Sequence, residues 1–131
     1  MMVTRIADTA WVDPRASLGD DVEIGPFCVI GPDVEVGPRC RMMAHVAIQG
    51  STRLGAGTTC APFSRIGDAE SLTTSRRKRS GIVNIGPGCQ IGSNVCIESD
   101  LDRGASTEVG PGCQLESAIH LGPSARLAAR V

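Results

Sequence analysis

An aliphatic residue returns every six positions along most of this chain. From Ile6 the steps fall on Val12, Leu18, Ile24, Ile30, Val36, Met42, Ile48, Leu54, Cys60 and Ile66. A second run takes Ile85, Ile91, Ile97, Arg103, Val109, Leu115, Leu121 and Leu127, and Arg103 is its one polar member. Neither the 3.6-residue turn of a helix nor the two-residue alternation of a strand generates this spacing. A period of six means a very short strand followed by a corner, over and over.

The other slots of the hexad are just as ordered. With the aliphatic position called i, glycine follows directly at 19, 25, 31, 37, 55, 67, 86, 92, 110 and 122. All eight prolines, 14, 26, 32, 38, 62, 87, 111 and 123, stand at i+2, where a fixed φ suits a corner and no ladder donor is needed. Small or β-branched residues such as Val22, Cys28, Val34, Cys40, Val46 and Cys89 hold i+4. The glycines at i+1 are expected to supply backbone conformations that other residues resist at a tight corner.

Three strands and three corners close a triangular coil, and stacked coils make a parallel β-helix. The expected fold is therefore all-β, a helix of hexapeptide repeats with about six coils, in one domain over 1–131. Coils are expected over 6–71 and 85–131, with an excursion loop over 72–84, because the two registers differ by one residue. With i and i+4 pointing into a narrow prism, the interior has room for small and branched side chains only. That matches a chain with no tyrosine, two phenylalanines and one tryptophan.

Composition narrows the function classes. The 13 basic and 14 acidic side chains nearly balance, so a nucleic-acid partner is not expected. No run is long and apolar enough to span a membrane. The start, Met1-Met2-Val3-Thr4-Arg5, leads into no apolar stretch of the kind a secretory leader carries. The six cysteines include no Cys-x-x-Cys pair, and no two stand one 18-residue coil apart. Reduced, buried thiols and a cytoplasmic location are the expectation. With only His45 and His120 in the chain, a three-histidine zinc site is ruled out, and no metal or cofactor is expected.

Beyond the hexad itself, three stretches resemble the UDP-N-acetylglucosamine acyltransferase family of hexapeptide-repeat transferases. They are Val22-Glu-Ile-Gly-Pro-Phe-Cys-Val-Ile-Gly-Pro32, Met43-Ala-His-Val-Ala-Ile-Gln-Gly50 and Pro62-Phe-Ser-Arg-Ile-Gly67 with the excursion after it. The similarity is strong over 4–67 and weaker over 85–125. The resemblance implies a left-handed parallel β-helix, against the usual crossover hand. It also implies a homotrimer with active sites in the clefts between neighbouring helices. The reaction it implies moves a 3-hydroxyacyl chain from acyl carrier protein to the 3-hydroxyl of a UDP-sugar, the first step of lipid A synthesis. The family continues with further coils and a helical C-terminal domain. Here the repeat register still runs at Leu127-Ala-Ala-Arg-Val131, so the expectation is either a cover for that open coil or a longer chain of which this is a part.

Such a transfer needs a base for the sugar hydroxyl, and histidine suits the task. The family carries a His-x-x-His pair whose second member is the base. Counted from Val109-Gly110, the first member falls on His120 and the second on Pro123, which has no side-chain proton acceptor. His120 is the remaining candidate. His45 matches a histidine that is not catalytic in the family and has a solvated or packing role. The stretch Asp68-Ala-Glu-Ser-Leu-Thr-Thr74 matches the family's acidic and lysine positions too loosely to carry a role. The family's Ile-His-Arg-Gly strand falls on Ile97-Glu98 or on Leu101-Asp102-Arg103-Gly104, and neither keeps the histidine. The excursion brings instead a basic run, Arg76, Arg77, Lys78 and Arg79, suited to a diphosphate or to an acidic carrier protein. Arg103 falls in an inward slot, so the chain around it is expected to bulge from the coil, or Arg103 to pair with Asp100 or Asp102. Two readings stay open: an acyltransferase of this ancestry with His120 as base, and a non-catalytic homotrimeric binding or scaffold protein.

Overall fold

The computed structural model describes residues 3–68, 81–100 and 104–131. Eighteen strands occur among them. The first coil holds β1 (Arg5–Ile6), β2 (Trp11–Val12) and β3 (Ser17–Leu18), and the second β4 (Glu23–Ile24), β5 (Val29–Ile30) and β6 (Glu35–Val36). The third holds β7 (Arg41–Met42), β8 (Ala47–Ile48) and β9 (Ser51–Leu54), and the fourth β10 (Thr59–Cys60), β11 (Arg65–Asp68) and β12 (Ile82–Ile85). Then come β13 (Gln90–Ile91), β14 (Cys96–Glu98) and β15 (Ser106–Val109), and last β16 (Gln114–Leu115), β17 (His120–Leu121) and β18 (Arg126–Leu127). Every third strand pairs in parallel, giving three six-stranded sheets that start from β1, β2 and β3. The molecule is a left-handed parallel β-helix of six coils.

The hexad explains each face. Its i residues point inward, so Ile30, Ile48, Ile66 and Ile97 stack coil upon coil at the inner face of the second sheet, fully buried. Each contributes roughly 1.5 to 3 kcal/mol by leaving water. The i+4 slot is buried too, and its chemistry is finer than simple filling. Where it holds valine it only packs. Where it holds a donor, an S–H or O–H reaches a corner carbonyl: Cys28 to Met43 O (2.9 Å), Cys40 to Gly55 O (3.1 Å), Thr58 to Gly86 O (3.1 Å) and Cys113 to Ala128 O (3.0 Å). Among the described residues no buried side-chain nitrogen or oxygen lacks a partner.

The glycines at i+1 have a different reason from the expected one. The left-handed backbone of the corner falls at i+3, on Asp21, Phe27, Arg39, His45, Phe63 and Asn94, with φ between 57° and 66°. At most of these positions glycine is needed at i+1 because the next coil passes too close for a side chain, while Gly67 also takes a positive φ of 89° and Gly122 meets nothing within 4 Å. A Cβ on Gly55 would stand 2.3 Å from the Pro87 nitrogen, and one on Gly86 2.6 Å from that of Pro111.

Two interruptions break the pitch, both at the corner between the second and third sheets. Arg41 and Thr59 pair 18 positions apart, but Thr59 and Gln90 pair 31 apart, an excess of 13. Cys96 and His120 pair 24 apart, an excess of six. The first excess falls between Ile66 and Ile85; β12 already starts at Ile82, and Val83 is fully buried, so residues 82–84 belong to the sheet and not to the excursion. The second lies between Ile97 and Val109, so one whole hexad of the second register is not a face of the prism. Arg103 lies outside the described residues. Asp100, three residues before it, accepts from Ser124 Oγ at 3.0 Å, and its backbone carbonyl accepts from Gly81 N at 2.6 Å.

Candidate functional site

On the outer face of the second sheet, position i−1 of each coil forms a stripe: Trp11, Val29, Ala47, Arg65, Cys96 and His120. Matching stripes on the first and third sheets start at Arg5 and Ser17 and carry ion pairs in the next two coils, Arg41 with Glu23 and Arg53 with Glu35, each at 3.2 Å. The second sheet is apolar at the start of its stripe and turns chemical at the end. Parallel strands lie about 4.8 Å apart, so the Cys96↔His120 register sets the two side chains abreast. Two residues along β14, Glu98 points to the same side.

There the Glu98 Oε2 lies 2.8 Å from His120 Nε2. A carboxylate only accepts, so Nε2–H donates and the lone pair of the ring is left on Nδ1. The His120 side chain is 61% exposed and that of Glu98 14%, so the acid is held in the wall and the ring stands open to solvent. The wall is tied at several points. Thr107 Oγ1 donates to Glu98 O at 2.9 Å, Ser99 Oγ to Gly67 O at 3.1 Å, and Ser124 N to Thr107 Oγ1 at 3.0 Å. Pro123 stands at the exposed corner just after β17. On the other side of Cys96, Arg65 Nη2 reaches its Sγ at 3.5 Å.

The structure separates the two histidines. His45 lies on the corner between the first and second sheets, stacked between Phe27 (5.1 Å, 15° between planes) and Phe63 (4.9 Å, 5°). It packs. The basic run Arg76, Arg77, Lys78 and Arg79 lies outside the described residues. Surface grooves run over the third sheet, past Glu35, Arg53 and Glu108, and over the first, past Gln90 and Gln114; neither of these includes His120. The pair of His120 with Glu98 is the better candidate, since it couples a proton carrier to an anchored acid. Sequence reasoning named Glu98 only as a lost histidine and passed over Cys96. The 24-residue offset that sets both beside His120 shows only once the extra hexad is placed.

The cysteines divide in the same way. Five are buried and Cys96 alone is partly exposed. Burial pushes the thiols of Cys28, Cys40, Cys60 and Cys89 above their ordinary range, so they stay protonated and inert. No helix among the described residues is long and apolar enough to cross a membrane.

Repeat geometry and sequence agree on a class of protein. The family model for bacterial transferase hexapeptide repeats matches residues 4–38 and 15–50. The chain is a hexapeptide-repeat β-helix protein, similar in its first 50 residues to the bacterial transferases. An acyl-(acyl-carrier-protein)–UDP-N-acetylglucosamine O-acyltransferase from Azorhizobium caulinodans is 38% identical over 118 residues, 89% of this chain and 41% of that protein. Its counterpart from Brucella ovis is 32% identical over 102 residues, 78% of this chain and 36% of its own length. The solved UDP-N-acetylglucosamine acyltransferase of Bacteroides fragilis superposes with a TM-score of 0.84 at 29% identity, covering 95% of this chain and 48% of its own. LpxA from Acinetobacter baumannii gives 0.84 at 27%, with the same coverage. Within the class, the chain is similar to the UDP-N-acetylglucosamine acyltransferases over most of its own length. It spans about two fifths of the length of the curated relatives it matches.

Proposed function

We propose that this chain acts in the cytoplasm as a homotrimeric acyltransferase that moves an acyl group from acyl carrier protein to a hydroxyl of a UDP-sugar. The observation that carries the reading is the 2.8 Å contact of His120 with Glu98 on an open face. Nδ1 of His120 takes the proton of the sugar hydroxyl as its oxygen attacks the thioester carbonyl. The tetrahedral intermediate collapses to the ester, and the departing thiolate takes the proton back from the imidazolium. Glu98 holds the ring and offsets its transient charge. The residues 76–79, from their charge alone, are assigned to the acidic carrier protein or the diphosphate.

The test is transfer from a panel of carrier-protein and coenzyme A thioesters to UDP-N-acetylglucosamine, read by mass spectrometry, with His120→Ala alongside. A product that vanishes in the variant is the expected result. A product that survives His120→Ala overturns the assignment of the base. One observation favours a second reading: Pro123 stands where the family base falls. No product from a well-folded assembly would select a binding or scaffold protein of the same ancestry.

A further inference from the structure

Cys96, Glu98 and His120 form one group whose ligand atoms (Sγ, a carboxylate oxygen and a ring nitrogen) all lie within 4.8 Å of one another. We propose that these three residues bind a divalent transition-metal ion, zinc above all, at the outer face of the second sheet. The proposal goes beyond the acyl-transfer reading and does not rest on it.

The ligand types fit. Thiolate, imidazole and carboxylate together make the mixed set that zinc takes, at about 2.3 Å to sulfur and 2.0 to 2.2 Å to nitrogen and oxygen. Tetrahedral bonds of those lengths set ligand atoms about 3.3 to 3.7 Å apart. His120 and Glu98, now at 2.8 Å, need to part slightly, and Cys96, within 4.8 Å of both, needs to close by no more than about 1.3 Å. Rotation of the exposed His120 ring and of the partly exposed Cys96 supplies both shifts without moving a strand. Arg65, whose Nη2 touches Sγ at 3.5 Å, gives up that contact as the sulfur turns.

The scaffold and the charges fit as well. Cys96 and Glu98 share one side of β14, and the parallel register sets His120 beside Cys96, so the backbone leaves only side-chain torsions to settle. Binding releases the thiol proton to solvent. The thiolate and carboxylate then balance the two charges of the ion, with imidazole neutral. Water fills the fourth position. The other five cysteines are buried, four of them donating S–H to backbone carbonyls, and cannot reach this face. A histidine count alone hides the site, because two of its three ligands are of other kinds.

The probe is cobalt(II), titrated into the reduced full chain. The expected result is one equivalent bound, with the visible bands of a tetrahedral site and a near-ultraviolet thiolate-to-cobalt band. Cys96→Ser removes the thiolate band. His120→Gln weakens binding beyond the 10- to 100-fold that losing a mere supporting partner costs at metal sites. Cys28→Val, which copies the valine of equivalent slots such as Val22 and Val46, leaves binding intact. As a second readout, saturating zinc protects Cys96 from alkylation in the native chain. A cobalt spectrum without a thiolate band, or Cys96 alkylated as fast with zinc as without, overturns the proposal. Each readout follows the metal or the thiol, so failure here leaves the acyl-transfer reading untouched, and failure of transfer leaves this one untouched.

Discussion

Glu98 holds Nε2 of His120 at 2.8 Å from the neighbouring strand, and its own carbonyl is pinned by Thr107 Oγ1 at 2.9 Å. The acid is therefore fixed at both ends, while the ring it steers is open to solvent. Glu98 is a positioning residue for the proposed transfer, since it touches the base and not the substrate. Glu98→Gln keeps the shape and removes the charge that steadies the imidazolium. Transfer is expected to fall about 10- to 100-fold in kcat with KM unchanged, read from initial rates against UDP-sugar concentration. A rise in KM alone would show Glu98 to be a binding residue instead.

The buried thiols make stability sensitive to alkali. Burial raises the folded-state values of Cys28, Cys40, Cys60 and Cys89, while in the unfolded chain they ionise near pH 8.5. A raised folded value gives stability that is full below the unfolded value and is lost as pH rises toward the folded one. Above about pH 8.5 each thiol removes up to about 1.4 kcal/mol per pH unit. With no tyrosine and a single lysine, little else titrates there. Urea unfolding at stepped pH from neutral to strongly alkaline should show the steep decline, and Cys28→Val should make it shallower.

Neighbouring-coil contact, and not turn conformation, accounts for i+1 glycines such as Gly55 and Gly86, and the two causes give opposite results for alanine. Gly55→Ala pushes a Cβ into Pro87 and is expected to cost about 2 to 3 kcal/mol. Gly122→Ala meets nothing within 4 Å and has no positive φ, so it should change stability by less than about 0.5 kcal/mol. Denaturant midpoints of the two variants decide the matter. Equal losses would mean that the corner conformation sets the requirement after all.

The stack of Phe27, His45 and Phe63 is built on left-handed backbone at all three rungs, with φ of 59°, 59° and 66°. For His45, stacking offsets a backbone cost of roughly 1 to 2 kcal/mol. His45→Ala loses the stack and keeps the strain, while His45→Gly loses both. The glycine variant should therefore be the more stable of the two by about 1 kcal/mol in urea unfolding. The opposite order would show the corner to be unstrained.

The coil was legible because its requirement recurs every six residues: an aliphatic at i must face the axis, so Ile24, Ile30 and Val36 announce three faces in turn. The hand was not in the spacing and came with the resemblance. The corner conformation was hidden because i+3 accepts residues as unlike as Asp21, Phe27 and Arg39, leaving no compositional trace. The site was half visible. His120 stood out as one of two histidines, but its partners did not, since an 18-residue offset from His120 lands on Asp102 and the true neighbour, Cys96, is six further back. No periodicity states where a whole hexad leaves the prism.

Both interruptions leave by one corner, and this makes loop length a free variable along a single edge of the prism. Parallel rungs register only the strands that touch, so 13 residues or six can depart there while Ile82 still finds Ser51 below it and Ser106 above. A foreign peptide spliced into that edge in place of the longer excess would be displayed without disturbing a rung. A single residue added at either other edge would turn the following aliphatics from the axis toward water.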